Sequence, residues 1–183
     1  MSDDNIKKVD TATWEERMNN LMERRKKPSH HKSPASNYKE YIEKVHVGKT
    51  VLDVGCGSMA LKKCLPQGME YYGLDAFPVN DTVIKGKIED ELTVHIFSHT
   101  VQIETVCAFA VLDGCQDFDK AIENMQKIAR TNIVILTGIG ISVDRYHTFK
   151  LEVSDFLRLF AGWHCIRAEY VSPKVCLMEF FKL

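Results

Sequence analysis

Two carboxylates flanking a bare backbone bend are the residues best suited to do chemistry. Asp53-Val54-Gly55-Cys56-Gly57 sets an acid just ahead of a Gly-x-Gly turn. Asp75 follows about 20 residues later, the spacing at which a carboxylate accepts both hydroxyls of a ribose. Glycine lets the chain turn sharply and approach a ligand with no side chain in the way. An acid at the turn attracts a positively charged amino-acid group and meets a pyrophosphate unfavourably. A second constellation lies in the loop Ser142 to Phe149, which carries Asp144, Arg145, Tyr146 and His147. Loops of this kind often carry specificity. His147 is the first choice for a substrate-facing proton acceptor, with Tyr146 beside it and Asp113 as a further candidate for handling a proton. The bland alternative for His147 is a solvated loop histidine.

These residues need elements to hold them. Thr50-Val51-Leu52-Asp53-Val54 reads as a buried strand, because β-branched residues cluster there without helical spacing. Met59 to Leu65 reads as a helix stopped at Pro66, and Met69 to Asp75 as a second strand ending in an acid. Thr82 to Asp90 reads as a short third strand and loop, Leu92 to Ser98 as a helix, and Glu104 to Leu112 as a central strand. Lys120 to Arg130 is a helix with Ile122, Met125, Ile128 and Ala129 on one stripe. Thr131 to Thr137 is a fifth strand, and Ser154 is expected to cap a helix over Asp155 to Phe160. Trp163 to Val171 and Val175 to Phe181 close the chain as two strands whose short link makes them antiparallel. Ahead of all this, Thr11 or Thr13 is expected to cap a helix through Trp14, Met18, Leu21 and Met22, with Thr13 and Glu16 spaced as a capping box. A second helix is read over Asn37 to Val45, its apolar face packing on the sheet.

The ordered set Asp53-x-Gly55-x-Gly57 and Asp75 resembles the class I (Rossmann-like) S-adenosylmethionine-dependent methyltransferases, in their small-molecule branch. The resemblance covers roughly residues 36–183, the expected domain, with residues 1–35 as an N-terminal helix and basic loop. It implies an α/β fold: a three-layer αβα doubly wound seven-stranded sheet, order 3-2-1-4-5-7-6, with the last hairpin antiparallel. It also implies S-adenosyl-L-methionine as cofactor and S-adenosyl-L-homocysteine as product. On that basis Gly55, Cys56 and Gly57 cradle the methionine and ribose portion, Asp53 holds the ammonium, and Asp75 accepts from the ribose. Ala76, Phe77 and Ile88 lie against the adenine, Glu89 is an acceptor for its amino group, and Phe109 and Ala110 line the methionine side. Two departures stand out. Met59 takes the third glycine position of the family's pattern, and Asp113-Gly114 stands where many members carry Glu-His.

Composition bounds the alternatives. The 183 residues suit one domain, and 45% hydrophobic with 27% charged residues is ordinary for a soluble globular chain. A net charge of −1 gives no global drive toward nucleic acid or anionic membrane. The six cysteines have no CxxC pairs, which points to free thiols and no metal site. No apolar run approaches the ~20 residues of a bilayer span and no secretory signal is visible, so the expected location is the cytoplasm without membrane association. A nicotinamide-dependent oxidoreductase competes, because Gly55 to Ala60 fits G-x-G-x-x-A, but Asp53 argues against a pyrophosphate there. A non-catalytic scaffold binding cofactor or protein is the other alternative, drawing on Met59 and the missing Glu-His. The expected activity is methyl transfer to a nitrogen or oxygen of a small-molecule acceptor. The basic segment Arg24 to Lys32 keeps an RNA or phosphorylated substrate open, and a protein acceptor is a further alternative. The oligomeric state is not legible.

Overall fold

The computed structural model describes residues 8–25 and 38–183. Residues 26–37, which hold most of the basic segment and the proposed boundary at residue 35, lie outside that description. The chain runs α1 (Thr11–Arg25), α2 (Tyr38–Ile42), β1 (Thr50–Val54), β2 (Glu70–Asp75), β3 (Ile84–Lys85), α3 (Glu91–His99) and β4 (Thr105–Phe109). It continues with α4 (Phe118–Ile128), β5 (Asn132–Gly138), α5 (Val153–Leu159), β6 (Trp163–Ser172) and β7 (Val175–Lys182).

One seven-stranded sheet has the order β3-β2-β1-β4-β5-β7-β6. Strands β1 to β5 are parallel, while β7 pairs antiparallel with both β5 and β6. Alternation along the strands sorts side chains onto two cores. Leu52, Val54, Val106, Ala108, Ile133 and Ile135 face the side covered by α3, α4 and α5. Val51, Cys107, Phe109, Val134, Leu136 and Leu177 face the side covered by α2 and the turn carrying Leu61. Helix α4 buries Ile122, Met125 and Ile128 as its spacing predicts, and the Asp117 carboxylate accepts from the Lys120 amide to cap it. The parallel strands bring the β1, β2, β4 and β5 loops to one end, where ligands bind in such sheets.

Several local expectations are corrected. In place of a helix over Met59 to Leu65 there is one short 3₁₀ turn, Leu61–Cys64. Met59 sits at φ 57°, a left-handed conformation that cannot open a right-handed helix, and Leu65 before Pro66 is already extended. Too few residues remain between them for stable helical turns. Helix α1 is capped by Asp10, which accepts from the Thr13 amide and hydroxyl at 2.9 and 2.7 Å, so neither threonine is the cap. Helix α5 starts after Glu152, which forms a capping box with Asp155; Ser154 lies inside the helix. The central strand ends at Phe109, because Ala110 turns left-handed at φ 54°.

Candidate cofactor and acceptor site

The bend after β1 uses its two glycines for different reasons. Gly55 has φ 68°, and a β-carbon there would overlap the Val111 side chain, so close packing against the β4 loop demands glycine. Gly57 has φ 49°, yet a β-carbon there would meet nothing within 4 Å. Its bare backbone faces open space, as a ligand cradle requires. Cys56 points the other way and is buried, its sulfur lying over Gly73 so closely that a side chain at residue 73 would collide with it. Burial, then the nearby carboxylates of Asp53 and Asp75, push its thiol up to about 12, so it is not a nucleophile.

Asp75, 6% exposed, stitches two loops together. Its Oδ2 accepts from the Gly57 amide at 2.9 Å and its Oδ1 from the Phe77 amide at 2.8 Å. A carboxylate has about four lone-pair sites, so two of them remain for further donors. Asp53, 3% exposed, is more enclosed. It lies in the sheet between Gly73 and Cys107 and accepts from the Tyr71 hydroxyl at 2.7 Å. Burial raises its carboxyl to about 7, with the Tyr71 hydrogen bond opposing and the Asp75 charge adding to the shift. Tyr71 is raised in turn, by burial and by that same carboxylate.

Beyond Asp75, a cleft of about 570 Å³ is lined by Ala76 and Phe77 together with Trp14, Asn19, Lys85 and Gly86. Trp14 of α1 roofs it. Its ring stacks on Phe77 at 6.0 Å, its Nε1 donates to the Gly114 carbonyl at 3.0 Å, and the Lys87 ammonium sits 5.1 Å over it. Two residues expected at the adenine, Ile88 and Glu89, do not line this cleft. Ile88 is packed in the α3 and α4 core, with its carbonyl accepting from Asn124. Glu89 is not aimed at the cleft: its carboxylate accepts from the Gln116 amide at 2.8 Å, and burial raises its pKa. It fixes the approach to α4, a role no local pattern announces. Phe109 is buried at the end of β4 with the Tyr38 ring edge-on at 5.1 Å, whereas Ala110 is exposed beside the bend.

The β4 and β5 loops bring the three acceptor-side candidates together. The Asp113 carbonyl accepts from the Thr148 and Phe149 amides, at 2.6 and 3.2 Å. The Asp113 carboxylate lies 3.7 Å from His147 Nε2, and burial raises its pKa against the opposing His147 charge. Asp144 Oδ1 accepts from the Tyr146 and His147 amides and lies 2.9 Å from His147 Nδ1. Burial would raise the Asp144 carboxyl, but these donors together hold it below its ordinary value. Donation from Nδ1 to Asp144 leaves Nε2 as the ring's acceptor. Helix α1 reaches this loop as well, through Arg17 Nη1 donating to the Thr148 carbonyl at 3.3 Å. Sequence reasoning gave Trp14 and Tyr71 no place at the site, and it named Asp144 only as a member of the His147 loop. Only Tyr71 had a signal, because strand alternation puts it on the same face as Gly73, the partner of Asp53.

No family model matches this chain, and no curated protein matches it in sequence. Solved structures do match its fold. A methyltransferase from Archaeoglobus fulgidus, S-adenosylmethionine dependent, aligns with a TM-score of 0.63 at 15% identity over 80% of this chain and 92% of its own. The fold is that of the class I methyltransferases. The 1,6-didemethyltoxoflavin-N1-methyltransferase of Burkholderia thailandensis, solved with its substrate and S-adenosylhomocysteine, also gives 0.63, at 11% identity over 91% and 86%. Magnesium protoporphyrin IX methyltransferase of Synechocystis PCC 6803, solved with S-adenosylhomocysteine, gives 0.60 at 13% over 81% and 84%. The methyltransferase topology, including the closing antiparallel hairpin, is therefore kept here at very low identity. Among the described residues no helix is long and apolar enough to cross a membrane, and no group of three or more His, Cys, Asp or Glu could hold a metal ion.

Proposed function

We propose that this protein is an S-adenosylmethionine-dependent methyltransferase acting on a nitrogen or oxygen of a small-molecule acceptor. The observation that carries the reading is Asp75, whose carboxylate joins the bare Gly57 backbone to the turn of Phe77, which lines an open cleft. That donor and acceptor set fits a nucleoside with an amino-acid tail. Gly57 offers backbone to the tail, and Asp75 accepts from the ribose hydroxyls in a charge-assisted pair. Ala76 and Phe77 flank the base under Trp14. Asp53 presents a carboxylate whose ionised form is favoured by a neighbouring ammonium. When bound, S-adenosylmethionine supplies a methyl group on a sulfonium, already activated as an electrophile. The chain's remaining task is to align the acceptor, and orientation of this kind is worth about 7–11 kcal/mol. His147, oriented by Asp144, takes the proton from a hydroxyl acceptor at Nε2, and Asp113 lies beside that nitrogen. A neutral amine acceptor needs no such base.

Calorimetry with S-adenosylmethionine, S-adenosylhomocysteine and NAD, on wild type and Asp75→Ala, tests the reading. Both sulfur nucleosides should bind wild type, and S-adenosylhomocysteine should bind Asp75→Ala at least about tenfold more weakly, through the lost charge-assisted pair. Binding of NAD alone would end the proposal. Tight S-adenosylhomocysteine binding with no methylation across a broad acceptor panel would mean a non-catalytic scaffold.

A further inference from the structure

Two guanidinium groups that the chemistry above does not use meet at the acceptor loop. Arg24 of α1 and Arg145 of the β5 loop, far apart in sequence, each lie 4.8 Å from the centre of the Tyr146 ring. Both arginines are exposed and Tyr146 is half-buried. Among the described residues neither guanidinium is paired with a carboxylate, although other surface cations here, such as Lys44, Lys120 and Arg167, have acidic partners. Asp144, next to Arg145 in sequence, is exposed, but its Oδ1 is taken up by the Tyr146 amide, the His147 amide and His147 Nδ1 rather than by a guanidinium. Each contact with the ring is worth only about 0.5–1 kcal/mol at an exposed site. That is a modest return for fixing two like charges on one tyrosine. A third guanidinium, Arg17, two helical turns before Arg24, is tied to the Thr148 carbonyl of the same loop. All of this adjoins His147, the group assigned to the acceptor's proton.

We infer that the acceptor carries an anionic group, a carboxylate or a phosphate, which Arg24 and Arg145 bind beside Tyr146. The inference rests on the methyltransferase reading and adds to it the charge class of the substrate. Guanidinium forks suit both anions, since each offers paired N–H donors to paired oxygens. Both guanidiniums lie over the Tyr146 ring, so Tyr146 serves to position them and not as a stacking platform. Seating the anion there would turn the rest of the acceptor toward His147 and the Gly57 bend, and would link α1 to the β5 loop.

The test uses the full-length protein with inorganic phosphate and acetate as probes, following Arg side-chain and Tyr146 ring signals by NMR. It compares wild type, Arg24→Gln with Arg145→Gln, and a control losing two charges at the end of α4 and just after it, Lys127→Gln with Arg130→Gln. S-adenosylhomocysteine binding is measured on the same samples. The expected result is saturable binding of one probe, about tenfold or more weaker in the arginine double variant and unchanged in the control, with S-adenosylhomocysteine affinity alike in all three. Whichever probe binds more tightly identifies phosphate or carboxylate. Equal probe affinity in the double variant, or no saturable binding, overturns the inference. So does an RNA oligonucleotide that binds the same arginines more tightly than either probe and with a steep salt dependence. Loss of S-adenosylhomocysteine binding in wild type itself would be a failure of the cofactor reading, distinguishable because the probe titration is read separately.

Discussion

Asp53 is a carboxylate whose environment departs far from what its type predicts. A carboxyl in an unfolded chain ionises near 3.9, and burial in the sheet moves this one to about 7. Between those values the folded protein binds more protons than the unfolded chain, so its stability falls as pH rises. The contribution is present in full below the unfolded value and gone above the folded one, an upper bound of about 4 kcal/mol at 1.36 kcal/mol per unit. Glu89 and Asp113 are also raised by burial and act in the same direction, so a comparison of variants is needed. Asp53→Asn keeps an acceptor for Tyr71 and cannot ionise. Its urea midpoint should fall less between pH 4.5 and 7.5 than that of wild type. Parallel profiles would show that Asp53 ionises normally. At the same scale, His147→Ala should slow methylation of a hydroxyl acceptor by about 10²–10⁴ and leave S-adenosylhomocysteine affinity alone. Asp144→Asn should reproduce part of that loss and shift the pH–rate profile. An unmoved profile would make Asp144 merely a loop cap.

Among the elements, α1 shows where legibility in the sequence stops. Trp14, Met18 and Leu21 announce a helix, but nothing local says that Trp14 will meet the Gly114 carbonyl 100 residues on, or stack on Phe77. Spacing reports which face is buried; it does not report against what. The opposite failure occurs after the glycine bend, where the apparent helix over Met59 to Leu65 gives way to the left-handed Met59. Backbone strain at one residue outweighs propensity over six. Glu89 was expected at the adenine by the family resemblance, and in the structure its carboxylate serves the amides ahead of α4, which need an acceptor. The roof role makes a specific demand on Trp14. Trp14→Phe keeps the apolar contact and loses one hydrogen bond, costing about 1 kcal/mol. Trp14→Ala removes a large buried ring, costs about 3–5 kcal/mol, and should release α1. Hydrogen exchange would then be fast across α1 in Trp14→Ala while β4 and β5 stay protected. Protection of α1 equal to that of wild type would mean that Trp14 is not what holds it.

At the scale of the whole molecule, the sheet separates stability from function by its two ends. The loop end carries Gly57, Asp75 and His147, whose roles depend on exposure and spare hydrogen-bonding capacity. The opposite end is closed by a buried polar network that no motif predicted. Glu179 of β7 is fully buried, and its Oε1 accepts from the His46 amide at 2.9 Å and from Asn132 Nδ2 at 3.2 Å, with His46 Nδ1 at 3.1 Å. Asn132 Oδ1 accepts in turn from Thr105, whose hydroxyl oxygen takes the Gly48 amide. The network joins β7, the strand that converts a parallel sheet to a mixed one, to the feet of β5 and β4. Glu179→Ala strands these donors at about 1–3 kcal/mol for each one left buried, whereas Glu179→Gln keeps an acceptor in place and should lose much less. Because the proposed cofactor cradle is at the other end, S-adenosylhomocysteine affinity should survive in both. Ligand at 100 times its dissociation constant should then add about 2.7 kcal/mol to wild type and to Glu179→Ala alike. Denaturant melts of the two proteins, with and without S-adenosylhomocysteine, measure both quantities together. A ligand increment that shrinks in Glu179→Ala would show that the two ends are coupled and that the sheet does not insulate its site from its foundation.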